Sequence, residues 1–132
     1  MAYLLIVDDD LDFAEAAGTV LRSEGYEIDI ETDSEKALDR IEQRRPDAVI
    51  LDVVFPENDR AGFDVANAVR RTFGDLPILL LTGVQQHFPR EHRHRTLDRR
   101  DLPAAEFMEK PIDFKTLSKK IAQILAAHPT GA

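Results

Sequence analysis

Three consecutive aspartates, Asp8, Asp9 and Asp10, follow directly on an apolar run, Tyr3–Val7. The pattern of an apolar run ending on a reactive or small residue returns three times. Ala48–Leu51 ends on Asp52, Ile78–Leu81 on Thr82 and Gly83, and Glu106–Glu109 on Lys110 and Pro111. Carboxylates, a hydroxyl, a small residue and an ammonium together suit a divalent cation and a phosphoryl group. Two like charges about 4 Å apart oppose each other by about 4 kcal/mol at an effective dielectric near 20. Several carboxylates gathered in one crevice therefore call for a cation or a proton.

These residues can meet only if the runs that carry them lie side by side and point the same way. Short runs rich in Ile, Val and Leu read as strands of a parallel sheet, buried on both faces. The carboxyl ends of such strands share one edge, and ligands bind there. The intervening segments fit this scheme. Residues 11–24 carry Phe13, Ala17, Val20 and Leu21 at helical spacing, with Asp10 placed to cap the start and Gly25 the end. Residues 26–31, YEIDIE, alternate as a strand at the sheet edge does. Thr32 and Glu35 have the spacing of a capping box, ahead of a helix carrying Ala37, Leu38 and Ile41 to about Arg44, where Pro46 stops it. Residues 47–51 read as the central strand, followed by a loop with Pro56, Glu57, Asn58 and Asp59. A third helix runs from about Gly62 through Val65, Val69 and Phe73 to Gly74, and Pro77 opens a strand to residue 82. After a strand near 105–109, Asp113 caps a final helix, with Ile112 and Leu117 spaced as a hydrophobic staple and Ile121, Ile124 and Leu125 in its core stripe. Strict alternation of strand and helix predicts an α/β doubly wound sandwich with right-handed crossovers.

Composition narrows the function. A net charge of −8 argues against nucleic-acid binding by this domain. No apolar run approaches the roughly 18 residues of a membrane span, and the start MAYLLIVDDD lacks the marks of a signal peptide, so a cytoplasmic protein is expected. The absence of cysteine excludes disulfides and thiolate metal sites. Segment 84–103 departs from the alternation. It holds five arginines and three of the four histidines but few apolar residues, and Pro89 interrupts any helix begun earlier. It reads as a long loop with an irregular helix and an exposed basic surface. His92 and His94 lie on an Arg-dense stretch with no paired carboxylate at helical ligand spacing, which speaks against metal there.

The motifs VDDD, AVILD with a proline beyond it, ILLLTG and EFMEKP, in that order and on those elements, resemble the receiver domain of bacterial two-component response regulators. The resemblance covers about Tyr3 to Ala127. It implies a flavodoxin-like doubly wound five-stranded parallel sheet of order 2-1-3-4-5, with an atypical fourth-helix region, because the stretch between Thr82 and Lys110 is long and basic. The loop after Pro56 is also somewhat long. The domain is expected over residues 1–127, with 128–132 a tail.

The resemblance assigns roles residue by residue. Asp52 matches the aspartate that accepts a phosphoryl group, by Mg²⁺-dependent transfer from a sensor histidine kinase or a histidine phosphotransfer protein. Asp9, Asp52 and the backbone carbonyl of Val54 match the direct ligands of Mg²⁺, and Asp8 matches a residue acting mostly through water. Asp10 falls to the helix cap. Thr82 matches the hydroxyl that moves to bond the phosphoryl group, Gly83 the small neighbour that lets the backbone approach it, and Lys110 the neutralising ammonium. Phe107 matches the switch aromatic, and the Lys110–Pro111 bond is expected cis. Val54 and Val84 match the positions bordering the path of hydrolytic water. Both are apolar and branched, so a long-lived phosphorylated form is expected. The face around Phe107 and the last helix would meet a second copy or an output partner. No enzyme activity is expected beyond the domain's own phosphorylation and dephosphorylation.

Two other readings compete. One is a receiver-like interaction module that is never phosphorylated, against which all the functional positions are filled with the expected types. The other is a phosphatase of the haloacid-dehalogenase type, which Asp8, Asp10, Thr82 and Lys110 could imitate. However, Asp12 stands where that family has Thr, no acidic pair follows Lys110, and the length leaves no room for a cap domain.

Overall fold

The computed structural model describes residues 2–52, 61–83, 105–110 and 112–127, with the backbone alone for residues 61–64, 82, 83, 105, 107, 109 and 110. Five strands, β1 (Tyr3–Val7), β2 (Glu27–Glu31), β3 (Ala48–Asp52), β4 (Ile78–Gly83) and β5 (Ala105–Lys110), form one sheet of order β2-β1-β3-β4-β5. Every neighbouring pair is parallel. Both the flavodoxin-like order and the doubly wound class are as the sequence implies.

Side chains alternate across a strand, so each of the inner strands β1, β3 and β4 feeds two cores. Leu5, Val7, Val49, Leu51 and Leu80 pack with Ile41 of α2 (Ala37–Gln43) and with Ala66 and Val69 of α3 (Ala61–Phe73). Leu4, Ile6, Ile50, Leu79 and Leu81 pack with Ala17 and Leu21 of α1 (Leu11–Ser23) and with Leu117, Ile121 and Ile124 of α4 (Phe114–Ala127). Covered on both faces, β1 and β3 are buried at every position. That explains why their sequences are continuously apolar rather than alternating. β2 is partly exposed, as an edge strand must be, and so are Glu106 and Met108 of the other edge strand, β5.

Local chemistry sets the helix ends. The Asp10 carboxylate accepts the Phe13 N–H at 3.1 Å and caps α1. At the far end Gly25 takes φ +99°, its N–H reaching the Arg22 carbonyl at 3.0 Å while the Tyr26 N–H reaches Leu21 at 3.2 Å. This paired closure needs the left-handed conformation that glycine adopts without a Cβ clash. Asp113 caps α4, accepting from the Lys115 N–H and the Thr116 hydroxyl, each at 3.3 Å. Ile112 and Leu117 both pack into the α1–α4 core as the staple requires.

One cap differs from the sequence expectation. The box does not start at Thr32. Asp33 accepts the Glu35 N–H at 2.9 Å and opens a 3₁₀ turn, Ser34–Lys36, that leads into α2. A carboxylate one residue closer takes the donor that the Thr32–Glu35 spacing assigns to a hydroxyl. The loop with Pro56, Glu57, Asn58 and Asp59, the basic segment 84–103 with any fourth helix, and the Lys110–Pro111 bond lie outside the described residues.

The edge strand is tied to α2 by charge. The Tyr3 hydroxyl donates to Asp29 at 2.8 Å, and the Arg44 guanidinium lies 3.9 Å from the Tyr3 ring centroid while pairing with Glu27. Arg40 stands 4.0 Å from Asp29 and 3.9 Å from Glu31. Asp47, expected to open β3, instead accepts the Tyr3 N–H at 2.7 Å.

Candidate functional site

From β1 the chain crosses to β2 on one side and reaches β3 on the other, so the strand order reverses at the carboxyl ends of β1 and β3. Helices leave this point in opposite directions and open a crevice. Asp8, directly beyond β1, is fully buried, and Asp52, the last residue of β3, is 6% exposed. Asp9 is half-buried.

One carboxylate oxygen from each of Asp8, Asp9 and Asp52 lies within 4.8 Å of the others. Two ligands facing each other across a Mg²⁺ ion are about 4.2 Å apart, so one oxygen-seeking ion with some of its waters fits these donors. Three carboxylates so close, two of them buried, need a positive partner to be ionised together. Val54, expected to add a carbonyl, lies outside the described residues, as does Val84.

Backbone hydrogen bonds hold the acidic corner. The Asp8 N–H donates to the Glu31 carbonyl at 3.0 Å, and an Asp8 carboxylate oxygen accepts the Asp10 N–H at 2.9 Å. Glu31 is itself anchored, its carboxylate accepting the Asp33 N–H at 3.0 Å beside Arg40. Sequence reasoning passes over Glu31. The atom it offers Asp8 is a backbone carbonyl, which every residue has, so no residue type announces it.

The remaining site residues stand along the same edge. Asp52 is in register with Leu81, so Thr82 is one step beyond it on the neighbouring strand. Thr82 pairs with Glu109 and Gly83 with Lys110, the last residues of β4 and β5. Along the carboxyl edge the order is therefore Asp8, Asp52, then Thr82 with Gly83, then Lys110. Strands lie about 4.8 Å apart and β4 stands between β3 and β5, so the Lys110 backbone is about 10 Å of sheet from Asp52. Phe107 lies further back on β5, opposite Leu80.

Comparison with known proteins agrees with this geometry. The family model for the response regulator receiver domain matches residues 4–122. The response regulator MprA of Mycobacterium sp. (strain KMS) is 34% identical over 122 residues, covering 92% of this chain and 50% of MprA. The chain thus spans about half the length of the curated relatives it matches. Among solved structures, the Vibrio cholerae chemotaxis protein CheY4 superposes with a TM-score of 0.79 at 29% identity, over 95% of this chain and 99% of that one. A CheY-like receiver domain protein from Methanospirillum hungatei JF-1 superposes with a TM-score of 0.83 over 100% of this chain and 99% of that one; at 23% identity it speaks for the fold alone. The buried carboxylates at the point of strand reversal, the sheet order and these matches lead to one conclusion: the chain belongs to the response regulator receiver domain family.

Proposed function

We propose that this receiver domain, residues 1–127 with 128–132 as a tail, accepts a phosphoryl group on Asp52. The donor is the phosphohistidine of a sensor histidine kinase or a histidine phosphotransfer protein. The observation that carries the proposal is the gathering of Asp8, Asp9 and Asp52 within 4.8 Å, on the edge where β4 and β5 end in Thr82, Gly83 and Lys110.

In this reading an Asp52 carboxylate oxygen attacks phosphorus, the phosphorus–nitrogen bond of the donor breaks, and the imidazole leaves with its electron pair. Asp9, Asp52 and the Val54 carbonyl, with Asp8 acting through water, would hold a Mg²⁺ ion, which would supply charge neutralisation for the phosphoryl oxygens. Lys110 neutralises a further oxygen, the Thr82 hydroxyl donates to another, and Gly83 lets the backbone approach. Thr82 moving toward the phosphoryl group leaves room that Phe107 takes up. The face around Phe107 and α4 then changes for a second copy or an output partner. The domain's chemistry is confined to its own phosphorylation and dephosphorylation. Val54 and Val84, apolar and branched, match by resemblance the positions that border the water path and would lengthen the life of the phosphorylated form. Among the described residues no helix is long and apolar enough to cross a membrane. We place the exchange in the cytoplasm, because a receiver must share a compartment with the kinase's phosphohistidine.

Acetyl phosphate tests the assignment. With Mg²⁺ it should add the mass of one phosphoryl group to the wild type and none to Asp52→Asn, read by intact-mass spectrometry. A phosphorylated Asp52→Asn protein, or a wild type that takes up nothing, would overturn it.

A further inference from the structure

Two of the strands that supply the site, β1 and β5, are not neighbours; β3 and β4 lie between them. The helices next in the chain after them, α1 and α4, do meet, on the face of the sheet with the core of Leu4, Ile6, Leu79 and Leu81. At the start of both helices the contact is aromatic. The rings of Phe13 and Phe114 lie with centroids 5.8 Å apart, tilted at 43°, within the range in which aromatic pairs attract. Both side chains are half-buried against the same core.

The position of the pair in the chain gives it its meaning. Phe13 is in the first turn of α1, and its N–H is held by Asp10, the last of the aspartate triplet. Phe114 is the first residue of α4, directly after the capping Asp113 and four residues beyond Lys110. Each ring sits one short turn from one half of the site. A second contact joins the Ser118 hydroxyl of α4 to the carboxylate of Glu24, the residue just past the end of α1.

We infer that Phe13 and Phe114 are positioning residues that set the distance between the acidic cluster and Lys110. The inference rests on the proposed role of Lys110 toward the phosphoryl group. The cluster itself is assembled by β1 and β3 and needs no help from α4. Lys110 is the last residue of an outer strand, paired from one side only, with Gly83 of β4, and the start of α4 four residues on is the next point at which the ring contact restrains the chain. Loosening the ring contact should therefore leave metal binding intact and weaken binding of a phosphoryl group, which requires both halves in register.

Beryllofluoride, a phosphoryl mimic, and Mg²⁺ alone separate the two effects. Both dissociation constants would be measured in the full chain from amide shifts, for the wild type, Phe114→Ala, Phe114→Leu and Lys110→Ala. Melting curves would show that each variant is folded. Phe114→Leu keeps apolar volume and guards against collapse of the alanine variant. The expected result is a Mg²⁺ constant within about twofold of wild type in both Phe114 variants, with beryllofluoride binding weakened about tenfold or more in Phe114→Ala and less in Phe114→Leu, since misplacement by about 1 Å can cost as much as a hundredfold. Equal weakening toward both probes, or none toward beryllofluoride, would overturn the positioning role. If Lys110→Ala binds beryllofluoride as the wild type does, the role of Lys110 falls and the brace falls with it. If Lys110→Ala loses binding and neither Phe114 variant does, the brace alone falls.

Discussion

At the scale of single residues, the acidic corner should respond to metal. Asp8 and Asp52 are almost wholly buried and share their space with Asp9, so a bound cation relieves a repulsion that the unfolded chain does not suffer. At ten times its dissociation constant, Mg²⁺ should stabilise the fold by about 1.4 kcal/mol, a rise of a few degrees in melting temperature. Asp9→Asn should abolish the rise, and an equal rise in that variant would place the metal elsewhere. Tyr3 offers a second test. Burial, aided by its hydrogen bond to the Asp29 carboxylate and by that charge, raises its hydroxyl from 10.0 to about 12, against the weaker pull of Arg44 and Arg40. Between those values the folded chain keeps a proton that the unfolded chain has released. Its contribution is therefore whole below pH about 10 and is lost as pH climbs toward about 12. Tyr3→Phe should make the fall of the urea midpoint across that range shallower, and an unchanged slope would assign the loss to other groups. Asp8, Asp52, Thr82 and Lys110 were legible because each ends an apolar run. The Tyr3–Asp29–Arg40 cluster was not, because its partners come from three elements and no spacing along the chain announces them.

At the scale of elements, most boundaries arise from caps that the sequence displays. Asp10, Gly25, Gly74 and Asp113 all stand where the chain turns. Thr32 shows where cap spacing stops being decisive. Thr32 and Asp33 are adjacent candidates, and only the 3₁₀ turn decides which of them Glu35 serves. Phe13 was readable as a core position of α1, but its ring partner on α4 is a fact of packing, not of spacing. Gly18 tests how closely α1 lies on β2. It is buried in mid-helix, where alanine is favoured over glycine by about 1 kcal/mol. A methyl group there would meet Ile28 Cγ2 at 3.4 Å and Ile30 Cδ1 at 3.7 Å, ordinary contact distances. Gly18→Ala should therefore stabilise the protein by about 0.5–1 kcal/mol in urea unfolding. A loss instead would mean that the added methyl group is not accommodated against β2.

At the scale of the whole molecule, the question is how one phosphoryl group moves a surface. Carrying a two-state equilibrium from 1:99 to 99:1 takes about 5.5 kcal/mol. One hydrogen bond from Thr82 to a charged oxygen supplies roughly 1.5–3 kcal/mol. Thr82 alone falls short, so Lys110 must contribute. Thr82→Ala should still take up beryllofluoride yet shift the Phe107 amide only part of the way, and a full wild-type shift would refute a shared switch. The doubly wound class and both faces of the core were legible as alternation of strand and helix, while the sheet order came from the family resemblance. The basic segment 84–103 was not, since neither period nor caps organise its arginines and histidines.

The outer strand β2 carries a further consequence. Its free edge could template another strand, and Glu27, Asp29 and Glu31 recur on it at every second residue. Two copies meeting edge to edge would set these rows of carboxylates against each other on one face, three carboxylates offset in part by the two guanidiniums of Arg40 and Arg44, with Glu27 and Asp29 each 48% exposed at the side chain. Salt shortens the reach of that repulsion from about 10 Å at 0.1 M to about 3 Å at 1 M. Self-association of the domain by light scattering should thus grow with ionic strength, and Asp29→Asn should bring its onset to lower salt. On this account the carboxylates of the strand guard its own edge against the same edge of another copy, a task separate from the one proposed for the aspartates a few residues away.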